Sequence, residues 1–442
     1  MTLTRAIHKG ISLRSTGLIG AALMTGALLA NAGPVSAQQQ DILFLSTQLR
    51  PIEEAQKVRS VILKDFPGKV TYLVEEPPAF DVRMKAEGQA GKRTISVAGA
   101  LHGELQPLVT SGDLTPIDDI ATKLADRGIP ANLMELGKLG TSSQMYIPWM
   151  QATYIMVANK KALPYLPAGA DINALTYDQL EAWGKALTEK TGKRLIGFPA
   201  GPKGLMPRFY QGYLYPSFTG GVVTPFQSAD AEAMWGKFKG LWQFVNPNST
   251  SYDFMQEPLL AEEVWVAFDH VARVKDALTQ APEEFVTFPA PAGPKGRGYM
   301  PVIAGLAVPK NAPNPTGAAE LIAFISKPET QVKTAAEVGF FPVVKATLPA
   351  DLSPGIKLIA EGVAKTQNAK DALPALLPVG LGDKGGEFNK VYSDTFQRIV
   401  LRGEDIKTVL ASQAGVLKGL MEATKAPCWA PDAPSQGACP VK

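Results

Sequence analysis

From Asp41 onward, short apolar runs alternate with apolar stripes at three- and four-residue spacing. Residues 41–46 hold an uninterrupted apolar run from Ile42 to Leu45, the mark of a buried strand. Pro51 then opens a predicted helix with Ile52, Ala55, Val58, Ile62 and Phe66 on one face. Residues 70–74 predict a second strand. Residues 94–98 predict a third, which ends at Gly99, Ala100, Leu101 and His102. Strand, helix, strand, helix, strand is the order of a mostly parallel α/β sheet. Ligands in such sheets bind beyond the carboxyl ends of the strands, which points to Thr47, Gln48 and His102.

Residues 145–160 stand out in the middle of the chain. Tyr146, Pro148 and Trp149 read as an aromatic turn leading into a buried strand over 153–158. Pro148 would hold Trp149 on a stiff turn. The indole then either stacks on a flat apolar ligand face or lies inside the core. Further on, Thr176 and Gln179 match a capping box before the stripe Leu180, Trp183 and Leu187. Residues 198–221 read as an aromatic, loop-rich stretch containing Tyr210, Tyr213 and Tyr215. A helix is predicted over 228–245 and a strand over 264–268, followed by Asp269, His270 and Arg273. After a Pro/Gly-rich connection, residues 303–308 predict another strand. Asn314 and Pro315 start a helix, and the chain beyond about Leu352 reads as helical.

The first 37 residues have a different character. Arg5, Lys9 and Arg14 precede a 14-residue apolar run from Gly17 to Ala30, and Val35, Ser36 and Ala37 complete a small-x-small cleavage pattern. That is the pattern of a secretory signal peptide, and the run is shorter than the ~20 residues that a membrane span needs. The expectation is a periplasmic protein that is not inserted in the membrane once residues 1–37 are removed.

This segment carries three of the 44 basic residues and no acid, so the remaining chain has 41 of each. A net charge of zero gives no electrostatic case for nucleic acid or an anionic membrane surface. Cys428 and Cys439 are the only cysteines and are expected to pair in an exported chain. A bridge over so short a loop contributes roughly 3 kcal/mol or less, enough to pin the tail. No cofactor is expected. The other two histidines, His102 and His270, and the cysteines lack metal-ligand spacing.

Several motifs in order resemble one family, the bacterial extracellular solute-binding proteins of family 1, the maltose-binding-like receptors of ABC importers. Ser111-Gly112-Asp113-Leu114-Thr115-Pro116-Ile117 looks like the family's G-x-L-x-P-L turn. Tyr146-Ile147-Pro148-Trp149 with Ala158-Asn159-Lys160 is similar to its Pro and Y-N-K segment. Leu175-Thr176-Tyr177-Asp178-Gln179-Leu180 resembles its P-x-T-W helix start, with Tyr177 in place of Trp. Pro289-Ala290-Pro291-Ala292-Gly293 and Leu306-Ala307-Val308-Pro309-Lys310 resemble two later motifs.

The resemblance implies a two-lobed periplasmic-binding-protein fold with three inter-lobe crossings and a ligand cleft between the lobes. The expected N-lobe is residues 41–150 plus 303–341, and the C-lobe is 151–302 plus 342–442. It also implies a monomer that carries a carbohydrate to an ABC membrane permease and has no enzymatic activity. Trp149, Tyr154 and Tyr210 are the candidates for stacking. Thr47, Gln48, His102, Asp269, His270 and Arg273 are the polar set. The chain departs from the family pattern at Asp269-His270-Val271, where Gly-Ser-Trp is common. There Asp269, His270 and Arg273 either meet the ligand, or Asp269 and Arg273 pair internally and brace the hinge.

Two other classes compete with this reading. A secreted hydrolase needs a carboxylate pair or an activated nucleophile, and no motif supplies one. A receptor for a polyamine or iron would draw on Tyr210, Tyr213 and Tyr215.

Overall fold

The computed structural model describes residues 41–48 and 52–442; the predicted leader and Pro51 lie outside the described residues. The strands in chain order are β1 (Ile42–Ser46), β2 (Val70–Val74), β3 (Val97–Leu101), β4 (Leu114–Thr115), β5 (Ile147–Ala152) and β6 (Tyr154–Asn159). They continue as β7 (Ile196–Gly197), β8 (Val266–His270), β9 (Phe285–Phe288), β10 (Arg297–Tyr299), β11 (Val302–Pro309) and β12 (Ala372–Pro374).

They form two main sheets. The first has the order β2-β1-β3-β11-β4, with β5 also on β11. β1 runs parallel to β2 and β3, whereas β11 runs antiparallel to β3, β4 and β5. All eight residues of β11 are buried, as suits a central strand packed against the helices His102–Thr110 and Pro315–Ile325. The second sheet has the order β7-β8-β6-β9, and its pairs on β6 are antiparallel. β10 and β12 form a separate parallel pair.

A single residue, Thr153, separates β5 in the first sheet from β6 in the second. Its hydroxyl donates to the Met300 carbonyl at 2.9 Å and lies 3.1 Å from the Tyr213 phenol. That phenol also receives the Tyr154 amide and donates to the Tyr154 carbonyl, both at 3.1 Å. The Tyr154 amide and carbonyl are thereby hydrogen-bonded in a dry environment, where an unmet backbone group would be costly.

The expected turn at Pro148 is instead part of β5. Proline has no N–H for the ladder, so it is tolerated at a sheet edge or a bulge, and both conditions hold here. The register shifts between Ala304 and Gly305: Met150 pairs with Ala304 and Pro148 with Gly305, which leaves Trp149 unpaired. The stretch predicted as loop is also ordered. Met206–Phe209, Tyr210–Leu214 and Tyr215–Thr219 form one continuous helical run with a π-turn at its centre. Phe209, Tyr210, Tyr213 and Tyr215 on this run are all fully buried. The strand predicted over 264–268 runs two residues later, so Asp269 and His270 close β8, and His270 caps the helix Val271–Gln280.

Several local expectations agree with the structure. Thr176 and Gln179 form a reciprocal capping box, and Ser228 caps the helix Ala229–Trp242. The C-terminal region is mainly the helices Pro354–Gln367, Gly385–Phe396 and Ile406–Thr424, and Cys428 and Cys439 are joined. Among the described residues, no helix is long and apolar enough to cross a membrane.

Gly305 tests the bulge. A Cβ there would sit 2.2 Å from the Tyr146 ring, which is buried on all sides. Gly305→Ala should cost about 1–3 kcal/mol through overpacking. The measurement is a shift of the urea midpoint at unchanged m-value.

Candidate functional site

Two polar sets lie at the strand ends. The first is built where β1 and β3 finish. Thr47 extends β1, and its amide bonds the Gly99 carbonyl at 3.0 Å. Its hydroxyl donates to Glu104 Oε2 at 2.7 Å, and the Leu101 amide donates to the same oxygen at 2.9 Å. Glu104 thereby caps the helix His102–Thr110 while reaching back to β1. Burial pushes its pKa above the usual range, against the pull of those hydrogen bonds and of the Arg208 charge. Gln48 Nε2 donates to Thr47 Oγ1 at 3.2 Å, and the Gln48 carbonyl receives the Tyr72 phenol. His102 Nδ1 lies 2.9 Å from the Tyr146 hydroxyl, and burial lowers its pKa to about 4.

The second set surrounds Tyr154 at the start of β6. Its ring stacks on Phe268 at 5.6 Å and meets His270 edge-on at 5.0 Å. Burial raises the Tyr154 pKa to about 12, against the attraction of Arg208 and Arg273. Asp269 accepts the amides of Met255 and His270 at 3.0 and 2.7 Å, and burial raises it to about 7. His270 Nδ1 accepts the Ala272 amide at 3.3 Å, so that nitrogen carries no proton. Burial, aided by the Arg273 charge, lowers the His270 pKa to about 3.

The internal Asp269–Arg273 pair, one of the two alternatives, does not form. Arg273 donates to the carbonyls of Lys203 and Asp253, with its guanidinium 4.4 Å above the Phe254 ring. Asp269 instead orders the backbone that carries His270.

Two stacking candidates are core residues. Trp149 is 1% exposed, with its ring 5.4 Å from Phe44 and its Nε1 without a partner. Unpaired at the bulge, it turns inward beneath β1 and β3. Tyr210 is fully buried between Trp235 and Phe396, at 5.5 and 5.6 Å. Neither ring is open to a ligand.

A cavity of about 320 Å³ lies beside the first set. Its walls come from Pro77 and Phe80, from Leu101 and Glu104, from Arg208, and from residues 377–389. Arg208 donates to Gln211 at 3.1 Å, and Gln211 donates to Asn389 at 2.9 Å. No ion pair within 4.0 Å joins Arg208 to a described carboxylate, yet its charge acts on both Glu104 and Tyr154. Arg208 is thus the electrostatic link between the two sets.

Sequence reasoning missed three elements of this cavity: Glu104, Arg208 and the 377–389 wall. Glu104 left a readable signal, an acidic residue three positions after the strand's last residue, the place of a cap. Arg208 left none, because only folding brings it near β3.

The family profile described as bacterial extracellular solute-binding protein matches residues 61–332. The chain belongs to this family. Such an extracellular solute-binding protein is a receptor. No curated protein sequence matches the chain.

Solved structures share the fold at low identity. The GacH receptor of Streptomyces glaucescens, solved with acarbose, aligns with a TM-score of 0.67 at 16% identity, covering 86% of this chain and 98% of that one. UgpB of Mycobacterium tuberculosis, solved with glycerophosphocholine, gives 0.68 at 16%, covering 87% and 99%. Maltose-bound MalE3 of T. maritima gives 0.66 at 16%, covering 86% and 99%. The fold is therefore the two-lobed α/β fold of periplasmic binding proteins.

Both buried imidazoles make stability depend on pH with one sign. The unfolded chain takes up protons near pH 6.5 that the folded sites refuse, so this contribution is lost as pH falls from 6.5 toward 4. Asp269 acts in the opposite direction, but equally in wild type and in a His270 variant. His270→Asn keeps a capping side chain. Between pH 7 and pH 5, urea unfolding of wild type should lose about 2 kcal/mol more than that of the variant. Equal losses would mean that His270 is protonated in the fold.

Proposed function

We propose that this solute-binding protein is the periplasmic, monomeric substrate-binding component of an ABC importer, and that it holds a sugar or sugar-like solute by lobe closure. The N-lobe is residues 41–150 plus 303–341, and the C-lobe is 151–302 plus 342–442. The protein carries its solute to a membrane permease and catalyses no reaction.

The observation that carries this reading is the cavity between Glu104 and Arg208. A carboxylate held by Thr47 stands on one wall and a guanidinium with donors to spare stands on the other. Together they can accept from and donate to neighbouring hydroxyls of one small polyol. Pro77, Pro78, Leu101 and Pro107 supply the apolar surface that the buried ring aromatics do not. Thr47 holds Glu104 and Gln48 holds Thr47, while His102, Tyr154, Asp269, His270 and Arg273 stay candidates for a solute that reaches beyond the cavity. Solutes solved in receptors of the same fold (acarbose, maltose and glycerophosphocholine) are all rich in hydroxyl or ether oxygen.

Asp81, Glu104 and Asp383 line the cavity against the single Arg208, which keeps polyamines among the solutes to test. The iron reading loses its basis, since Tyr210, Tyr213 and Tyr215 are fully buried in the core.

A thermal-shift screen of the mature protein against mono-, di- and oligosaccharides, polyols, polyamines and ferric ion tests the proposal. A carbohydrate or polyol should raise the melting temperature by mass action. Arg208→Ala should then weaken that solute by roughly tenfold or more, the worth of charged hydrogen bonds in a cavity. A shift with polyamines alone overturns the sugar assignment.

A further inference from the structure

The chain after the last long helix, which ends at Thr424, is tied at four points. Cys428 and Cys439 are bonded, and the Cys439 amide donates to the Ala426 carbonyl at 2.8 Å. Asp432 lies inside the bridged loop and is 6% exposed. Its carboxylate accepts three successive amides, from Val222, Val223 and Thr224, at 2.7, 3.0 and 2.8 Å. Lys442 exchanges backbone bonds with Thr224 and Gln227. Trp429 packs edge-on against Phe388 at 5.4 Å. Three charge-assisted hydrogen bonds to one buried carboxylate are more than pinning a loose end requires.

The fourth tie leads to the cavity. The Ala430 carbonyl receives the Leu376 amide at 2.9 Å, immediately before the wall residues Leu377, Pro378 and Leu381. The same wall packs against the tail again at Gly380, where a Cβ would meet Ala426 Cα and Pro427 Cδ at 3.2 Å. From there the wall reaches the first polar set. A Cβ on Gly103 would lie 2.0 Å from the Pro378 carbonyl, so the wall rests directly on the helix turn carrying His102 and Glu104. Residues 375–381 contain no helix or strand of their own. At the start the Ala375 amide is held by the Tyr299 carbonyl at 2.8 Å, and from Leu376 onward the segment lies between the tail on one side and Gly103 on the other.

We propose that the Cys428–Cys439 loop is a strut that positions the cavity wall at residues 376–382, so that the disulfide and Asp432 set solute affinity. The affinity part rests on the cavity being the solute site. The bridged loop holds Asp432 against residues 222–224. That anchor fixes Ala430, Ala430 holds Leu376, and Leu376 sets the distance between Pro378 and Gly103. Reducing the bridge or removing the carboxylate frees the wall, and an ordered contact surface becomes one the solute must order at its own cost.

Hydrogen exchange on the solute-free protein reads the strut without any ligand. In Cys428→Ser/Cys439→Ser, and separately in Asp432→Ala, amides of residues 376–382 should exchange about tenfold faster or more, with β1 and β3 unchanged. Faster exchange confined to residues 426–442 in both variants overturns the proposal. If the double serine variant fails to fold, Asp432→Ala carries the comparison with the disulfide intact.

Calorimetry with maltose, acarbose and glycerophosphocholine as probes reads the consequence. A probe that binds wild type should bind the variants about tenfold more weakly. A probe weakened by Arg208→Ala but indifferent to a loosened wall overturns the proposed effect on affinity. A probe indifferent both to Arg208→Ala and to a loosened wall shows instead that the cavity is not its site, while the exchange result still stands for the strut.

Discussion

Everything in the fold turns on one residue's worth of backbone. β5 ends at Ala152, β6 starts at Tyr154, and these two strands belong to different sheets. A strand that changes sheets leaves its ladder, and the polar groups at the change must find new partners. Tyr213 supplies them by clasping both backbone groups of Tyr154 while touching the Thr153 hydroxyl. Tyr213 can do so because the helical run from Met206 to Thr219 is packed deep against β8. The π-turn matters here, since an inserted residue re-aims the side chains that follow it. The same run carries Arg208, two residues before its π-turn begins at Tyr210. The junction and the guanidinium in the cavity are thus placed by one element.

The floor around the site is dry and largely neutral. Burial keeps His102 and His270 unprotonated at neutral pH and lifts the phenols of Tyr146, Tyr154 and Tyr213 above their usual range. Charges placed above such a floor interact more strongly than they would in water. Glu104 and Arg208 are close enough to feel each other but are not paired within 4.0 Å. A closed ion pair would have spent both groups on each other. Held apart, each keeps hydrogen-bonding capacity for a third party, as the proposed solute site requires.

What the sequence revealed follows the range of the interactions. β1, the Thr176 capping box, the helix from about Ser228 and the C-terminal helices depend on neighbours within a few residues, and their signals were readable. The cysteine pair was readable because only two cysteines exist. Trp149 misled because its role depends on a partner 156 residues away: Gly305 and the missing Pro148 N–H create the bulge that turns the indole inward. Aromatic crowding over residues 209–215 suggested loop because its helical stripe is broken by the π-turn. Asp269 and Arg273 suggested an ion pair by spacing alone, but each found nearer backbone partners. Arg208 and the 377–389 wall were invisible because nothing local distinguishes a cavity side chain from a surface one.

Gly103 shows how tightly the two ends of the chain are matched at the site. Helix first turns usually carry side chains that cap or solvate the exposed amides. Here the position is bare, and the Pro378 carbonyl occupies the space a Cβ would need. Glu104, one residue on, is left to do the capping and to face the cavity. The approach brings a wall from the last quarter of the chain within van der Waals distance of a helix from the first quarter. A two-state receptor needs contacts made in one arrangement and lost in the other, because a solute shifts the equilibrium only by its differential affinity. A backbone-on-backbone contact without side chains has little room to adjust. It is either made or broken, and under the proposed lobe closure it would register the change rather than follow it gradually.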